Sequence, residues 1–559
     1  MNLGRLMRCS GCAGPIAALA SLSLTAPQAL AQDVSPSTQE QARIRAEREA
    51  AERAVRENAP NARLEGQEAP SLGAFPEESP CFTIHAIAVE GASARKLRWV
   101  PEYLDRFRGR CAGQQGLNYI LKSLQAAFLD RALVTTRAGL PEQDLASGTL
   151  HVVVIPGVVS AVRTNGRDRH FSWDVASPLH KGDIVNLRGI EQGLEQLRRV
   201  PSREVRVDLV PGEGPGETIL DVTLSDRLPV SGSVSVNNFA GATVGRWQGS
   251  VQVSALDLLG ASELFSLSYN RRIEAPGLPA DSKGSGASLS FPMGWWTFGA
   301  SASSNRYGQT VTGEVTDFAT RGKLDAMSVW AERVIHRDRT SKTALRLALS
   351  RRWAHNFIND VEIGIQRQNL TDLEIGINDR RELGPVHLDS ALALRAGIKF
   401  LGAQSEVADR PAALPTARYR IVTADLGISV PFGSGPIEGW RATAHAQWSA
   451  RNLYGSDLIS VGGPYSVRGF DSDTAEIGRT GWFVRQELGF KVTGQFRPYA
   501  LFDMGAVENG HGLRAGAGGG LRVRRGVFSL DVFAALPVIG REIANIHKVR
   551  LGLSATVGF

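Results

Sequence analysis

From about Leu228 to Phe559 the chain alternates between apolar and polar or small residues. Val230, Gly232, Val234 and Val236 interleave with Ser231, Ser233, Ser235 and Asn237. Leu345, Leu347 and Leu349 interleave with Arg346, Ala348 and Ser350. Ala442, Ala444, Ala446 and Trp448 interleave with Thr443, His445 and Gln447. Val484, Gln486, Leu488, Phe490 and Val492 interleave with Arg485, Glu487, Gly489 and Lys491. A period of two belongs to strands whose faces meet different media. Gly, Asn and Asp turns separate the runs, and the series predicts a transmembrane β-barrel. Arg485, Glu487 and Lys491 fall on the predicted lumen face, where water accepts charge at little cost. About 332 residues at roughly 20 per strand and half-loop predict about 16 antiparallel strands, within a range of about 12 to 18 and an even count. The last run, Val549, Leu551, Leu553, Ala555, Val557 and Phe559, ends on an aromatic residue, the usual recognition tag of outer-membrane barrels.

Upstream the pattern differs. Phe82 to Val89 alternates like a strand, and Leu150 to Ile155 is another, stopped by Pro156-Gly157. Between them Leu117, Ile120, Leu121, Leu124, Ala127 and Phe128 recur on one side of a predicted helix over 117–129. A second unit repeats the theme: a strand from Val158, a helix over 190–197, and strands over 205–210 and 219–224. Helices alternating with short strands at this spacing predict two small α/β units.

Gln39 to Asn58 is rich in Ala, Glu, Arg and Gln, all strong helix formers. Glu49–Arg53 and Glu52–Arg56 are pairs of favourable i,i+4 order. The apolar stripe is thin (Ile44, Val55 and alanines), so this helix belongs in water or in a wet cavity. Asn58 to Pro80 carries Pro60, Pro70, Pro76 and Pro80 and reads as an extended linker. At the start, Arg5 and Arg8 precede the apolar stretch Ile16 to Ala26, and Ala29-Leu30-Ala31 supplies a small-x-small cleavage site, the pattern of a signal peptide. The cysteines beyond it are Cys81 and Cys111; two cysteines in an exported protein most simply form one disulfide.

Composition narrows the function. The chain has 559 residues, net charge +7, 21% charged and 43% hydrophobic residues. The mild charge forms no basic block, which disfavours nucleic acid as a partner. Sixty glycines without a Gly-X-Y period exclude collagen. There is no G-x-x-x-x-G-K-[ST] string, no G-x-S-x-G and no H-E-x-x-H, and the 10 His are scattered. The Arg514–Gly520 stretch RAGAGGG lacks the Lys-Ser/Thr end of a phosphate loop and reads as barrel glycines. No enzyme activity, metal or cofactor is expected.

Two pairs of strings carry a resemblance. In the first α/β unit they are Cys81-Phe-Thr-Ile with the later Cys111, and Leu140-Pro-Glu-Gln-Asp-Leu-Ala-Ser-Gly-Thr-Leu150. In the barrel they are Gly462-Gly-Pro-Tyr-Ser-Val-Arg-Gly-Phe470 and Arg497-Pro-Tyr-Ala-Leu-Phe-Asp-Met-Gly505. With the order of segments, the chain resembles the outer-membrane transporters of two-partner secretion, in the Omp85 superfamily.

The resemblance implies a signal peptide over 1–31, a plug helix over 32–58, a Pro-rich linker over 59–80, POTRA domains over 81–157 and 158–226, and a barrel over 227–559. It implies that Val467-Arg468-Gly469-Phe470 lies on an extracellular loop folded back into the lumen, with Phe470 where Tyr is commoner. It implies that Phe502, Asp503 and Gly505 form the F-x-D-x-G motif of a barrel strand, and that Arg468 meets Asp503. Tyr499, Leu501, Asp503 and Gly505 share one strand face, so Asp503 points to the lumen if that strand spans. The implied function is export of a large unfolded exoprotein (adhesin, haemolysin or contact-dependent toxin) across the outer membrane, with POTRA domains in the periplasm holding the cargo and no nucleotide used. The implied partners are that cargo, outer-membrane lipid and, for biogenesis, periplasmic chaperones and the barrel-assembly machinery. The alternative is a barrel insertase of the same superfamily, which usually carries more α/β units.

Overall fold

The computed structural model describes residues 35–559 apart from 65–70, 92–94, 167–170, 200–203, 226–229, 274–281, 312–315, 317, 407–408, 434, 493 and 541–547. The expected signal peptide lies outside the described residues. Helix α1 spans Pro36–Glu57, with the Ser35 hydroxyl accepting from the Thr38 N–H and Pro36 in the first turn. Arg43–Glu47 and Arg45–Glu49 pair along it at 3.1 and 2.7 Å. The expected Glu52–Arg56 pair is replaced: Arg56 donates to Asp425 of the barrel at 2.7 Å, and Glu52 lies 3.9 Å from Arg48. A part-buried partner on the wall outcompetes a solvated one on the same helix.

Each α/β unit is a three-stranded sheet under two helices. In the first, Ala86–Glu90 runs parallel to Thr149–Ile155, which pairs antiparallel with Arg137–Gly139. Helices α2 (Val100–Asp105) and α3 (Gln114–Asp130) bury Leu104, Ile120, Leu124 and Phe128 against Leu150 and Val152. In the second, Val158–Thr164 runs parallel to Glu217–Ser225, which pairs antiparallel with Glu204–Pro211. Helices α4 (Phe171–Ala176) and α5 (Leu187–Leu197) bury Trp173, Ile190 and Leu194 against Leu220 and Val222. The run expected as one strand from Phe82 breaks in two. Phe82–Thr83 pairs with Cys111–Ala112, whereas Ala86–Glu90 joins the sheet. The break falls at His85, where the N–H groups of His85 and Ala86 both reach the Gly148 carbonyl. Cys81 and Cys111 are joined by a disulfide with Cα atoms 5.4 Å apart.

The segment after α1 is docked along its described length, not a free tether. Ala62 is 1% exposed in the second unit's core, and Asn61 donates to Glu382 of the barrel at 2.9 Å. Phe75 packs edge-on to Tyr119, and the Glu78 carboxylate accepts from the N–H groups of Gly113, Gln115 and Gly116 at the start of α3. Desolvation opposes the Glu78 charge, and those N–H groups outweigh it, holding the carboxyl below its usual range.

Among the described residues, sixteen antiparallel strands close into a barrel, the first (Val230–Asn237) pairing with the last (Arg550–Gly558). Apolar residues of one parity face outward: Val234, Leu267, Leu347 and Leu392 are all about half exposed. Polar residues of the other parity face the lumen, because hydrocarbon leaves only apolar side chains tolerable outside. Lys491, expected on the lumen face, instead lies past the end of the strand Gly481–Phe490, exposed and donating to the Gly433 carbonyl. Helix α5 is bolted to the rim on the POTRA side. Arg337 donates to Glu195 at 2.8 Å and to Gln192 at 3.0 Å, Lys342 also pairs with Glu195, and Gln196 donates to Thr297.

Candidate functional site

The lumen holds two elements besides solvent-facing walls. The first is α1. Its residues bond inward-facing groups all along the helix: Gln41 to Asn356 (3.2 Å) and from Gln368 (3.0 Å), Arg53 toward Asp425 (3.5 Å), Arg56 to Asp425. Tyr307 reaches the Ser37 carbonyl. Such contacts suit a helix that is polar on every side, since a wet wall offers partners all round.

The second is the loop between the strands Ile437–Trp448 and Gly481–Phe490. It folds into the barrel as a small hairpin of Ile459–Val461 paired with Glu476–Gly478. Val461, Val467 and Phe470 bury against Phe483 and Val507 of the wall. Between the hairpin arms, Arg468 is 1% exposed and Asp503 is 0% exposed. Arg468 donates to Asp503 through Nε at 2.6 Å and Nη2 at 2.9 Å, a bidentate pair, and its backbone N–H adds a third bond at 3.0 Å. Nη1 donates to Glu487 at 2.6 Å. Glu487 in turn accepts from Arg522, and Arg522 from its Nε reaches Asp531 at 3.0 Å. The Arg468 charge is thereby placed in a continuous lumen network.

The motif neighbours divide. Gly469 has φ +104°, and a Cβ there would stand 2.8 Å from the Leu536 carbonyl, so only glycine fits. Val467 and Phe470 are buried, with the Arg514 guanidinium 4.9 Å over the Phe470 ring. At Gly505 a Cβ would meet the Trp482 carbonyl at 2.6 Å, which lets the loop side chain of Val461 approach. Phe502 faces the other way, 38% exposed on the outer surface, and does not join the site.

A second anchor holds the start of the same loop. Asp457 is 0% exposed and accepts from Arg352 at 2.8 and 3.0 Å, with Arg395 at 3.2 Å. Arg352 also reaches Asp372 at 3.1 Å and the Tyr419 hydroxyl. Burial opposes the Asp457 charge, and Arg352 and Arg395 hold its carboxyl below the usual range. The Asp457 carbonyl accepts from Arg45 of α1 and from Gln447 of the wall at 2.9 Å. Gln39 of α1 donates to the Asp473 carbonyl at 2.6 Å, on the returning arm. Helix, loop and wall therefore meet at Asp457. Its role was not readable in the sequence, because an acid in an irregular loop has no periodicity to place it. Glu487 and Arg522 carry a signal, since lumen parity marks both.

The arrangement is a filled pore with a charge-locked loop, and the described residues include no cluster of metal-ligating side chains. The family of haemolysin secretion/activation proteins ShlB/FhaC/HecB matches residues 216–523, a ShlB-type POTRA domain matches 82–157 and a POTRA domain matches 158–211. The chain is 31% identical to the outer membrane transporter CdiB-2 of Burkholderia pseudomallei (strain 1026b), over 98% of this chain and 99% of that one. It is 22% identical to the hemolysin transporter protein ShlB of Serratia marcescens, over 83% of this chain and 84% of that one. The structure of CdiB from Escherichia coli superposes with a TM-score of 0.81 at 26% identity, over 94% of this chain and 99% of that one. Barrel, paired POTRA units and these matches agree: the chain belongs to the ShlB/FhaC/HecB family and is a two-partner secretion transporter of the Gram-negative outer membrane, with its POTRA domains in the periplasm.

Proposed function

We propose that α1 and the Arg468 loop together close the resting pore, and that export of one large exoprotein requires both to shift. The observation that carries this reading is α1 itself: a helix with almost no apolar face, bonded at once to the wall through Asp425 and to the loop through the Asp457 carbonyl. Arg468 and Asp503, with Val467, Gly469, Phe470 and Gly505 around them, set the depth of the loop. The disulfide Cys81–Cys111 braces the first strand of the periplasmic unit that meets cargo.

The POTRA units take unfolded cargo by adding its extended segments to an open sheet edge, for which Ala86–Glu90 and Glu204–Pro211 stand at the edges of their sheets. The cargo is an adhesin, haemolysin or contact-dependent toxin. ATP does not reach the periplasm, so folding of the cargo outside the cell draws the chain through. Outer-membrane lipid surrounds the outward apolar band, and periplasmic chaperones and the barrel-assembly machinery bring the transporter to it.

The test is mass spectrometry of culture medium and outer membranes, with and without this gene in its source organism. Loss of one large protein from the medium, with membrane barrels unchanged, is the expected result and names the cargo. Broad depletion of membrane barrels would replace this reading with an insertase.

A further inference from the structure

On the outer surface of one flank, basic residues stand in a single row. Arg271 is registered opposite Lys283, Lys283 opposite Arg306, Arg306 opposite Lys323, and Lys323 opposite His355. Residues directly opposite on neighbouring strands share a face, and this face is the lipid side: Leu267 and Tyr269 precede Arg271 on it, and Met327 and Val329 follow Lys323. Like charges directly opposite destabilise a sheet, whereas a cation on the lipid side costs little only near the membrane interface. Nothing about barrel closure asks for the row. On the opposite flank the outward residues near the same end of the strands are Trp482, Leu536, Val538 and Leu551.

The height of the row says what it meets. Roughly 33 Å of strand separates Arg306 from Trp296, at about 3.3 Å per residue. A tilt near 40° turns that into about 25 Å, the height of the apolar band of such barrels. Trp296, stacked on Phe298, marks the interface on the POTRA side. The row therefore lies at the outer interface, and Tyr269 and Trp353 sit one outward step below it, as an aromatic girdle does. Asp325 takes the Lys323 ammonium at 2.6 Å and Glu362 takes His355 at 2.8 Å. Arg306 is exposed, with the Asp325 carboxylate as its nearby opposite charge, and Arg271 and Lys283 have interactions of their own.

We propose that the row Arg271, Lys283, Arg306 and Lys323, closed by His355, is a binding site for the phosphate groups of the anionic glycolipid of the outer leaflet. Phosphate oxygens between the strands would add charge-assisted contacts to guanidinium and ammonium groups that local carboxylates only partly balance. The site would fix one rotational face of the transporter toward bound lipid.

The test is native mass spectrometry of the full-length protein in detergent, titrated with bis-phosphorylated lipid A and with the same lipid stripped of both phosphates. Wild-type protein should bind the phosphorylated form much the tighter. Lys283→Gln with Arg306→Gln should weaken that binding by about 25-fold, about fivefold for each charge removed, and leave the stripped lipid unchanged. Arg524→Gln with Arg525→Gln, exposed at the POTRA end of the wall, should bind like wild type. Lys323→Gln alone provides a milder variant should the pair disturb assembly, with heat-modifiable migration as the check of a closed barrel. Equal binding of the two lipids by wild-type protein, equal binding by wild type and the row variants, or an equal loss in the Arg524/Arg525 control would each overturn the site.

Discussion

Gly516 stands directly across the ladder from Asp503, and the carbonyl oxygen of Arg468 occupies the space a Gly516 side chain would need, 1.7 Å from an ideal Cβ. The bidentate pair thus depends on a missing side chain on the neighbouring strand as much as on its own charges. Gly516→Ala should push the loop out of its seat with Arg468 and Asp503 both intact. Exoprotein in the medium should fall toward the level of Arg468→Ala, with the barrel still in the membrane; normal secretion would mean that loop depth is not what matters.

Arg468→Ala leaves the buried Asp503 without its cation, while Glu487 keeps Arg522. Breaking such a pair typically costs about 3–5 kcal/mol, enough to free the loop. Arg468→Lys should also fail, because an ammonium keeps the charge and loses the planar fork that meets Asp503 through two nitrogens. Protease cleavage within 459–478 on intact cells, together with secretion, reads both effects.

Asp425 receives Arg53 and Arg56 from α1. Asp425→Asn should weaken the seat of the helix and raise the frequency of open events in a planar bilayer. Deletion of 36–57 sets the ceiling. A deletion with wild-type conductance would remove the plug from the reading.

At the loop's other end, Asp457→Asn leaves Arg352 and Arg395 facing an amide. The loop should loosen at its start while the Arg468–Asp503 pair persists. Conductance should rise by less than on deletion of α1, since Arg45 still has Glu49 as a partner. Secretion and bilayer recordings on the same preparation separate the two anchors.

The contact of α5 with the barrel is set by Glu195. Burial raises its carboxyl, and Lys342 and Arg337 more than reverse that, so its pKa in the folded protein lies below the ordinary 4.5. A depressed carboxylate contributes docking energy above the unfolded value and loses it as pH falls through the folded one. The POTRA units should therefore stay docked at pH 5 and above and release only in stronger acid, which hydrogen exchange on 187–197 would report. Release at neutral pH would show that the ion pairs do not hold the contact.

The barrel was legible because lumen water and lipid impose opposite demands on alternate residues, so Leu345 and Arg346 each announce a side. The two POTRA units were legible from the periodicity of residues such as Ile120 and Leu194. Arg468 and Asp503 were legible only through the motif strings, since an Arg in a glycine loop has no pattern of its own. What stayed hidden was contact across long sequence separation. Ala62, Phe75 and Glu78 look like linker residues, and nothing local says that one enters a core and another caps a helix. Lys491 kept the parity of its strand after the strand had ended.

The docking of Ala62 and Asn61 at the rim has a consequence for how the pore recloses. A plug on a free tether would wander, but α1 begins its exit within a few residues of a fixed point. A helix of this length spans about 33 Å, so its far end stays within about that radius of the rim. Confinement of that kind corresponds to an effective concentration on the order of millimolar or above. On the proposal that α1 leaves the lumen during export, reinsertion is an intramolecular competition with the cargo chain, won once the last segment has left.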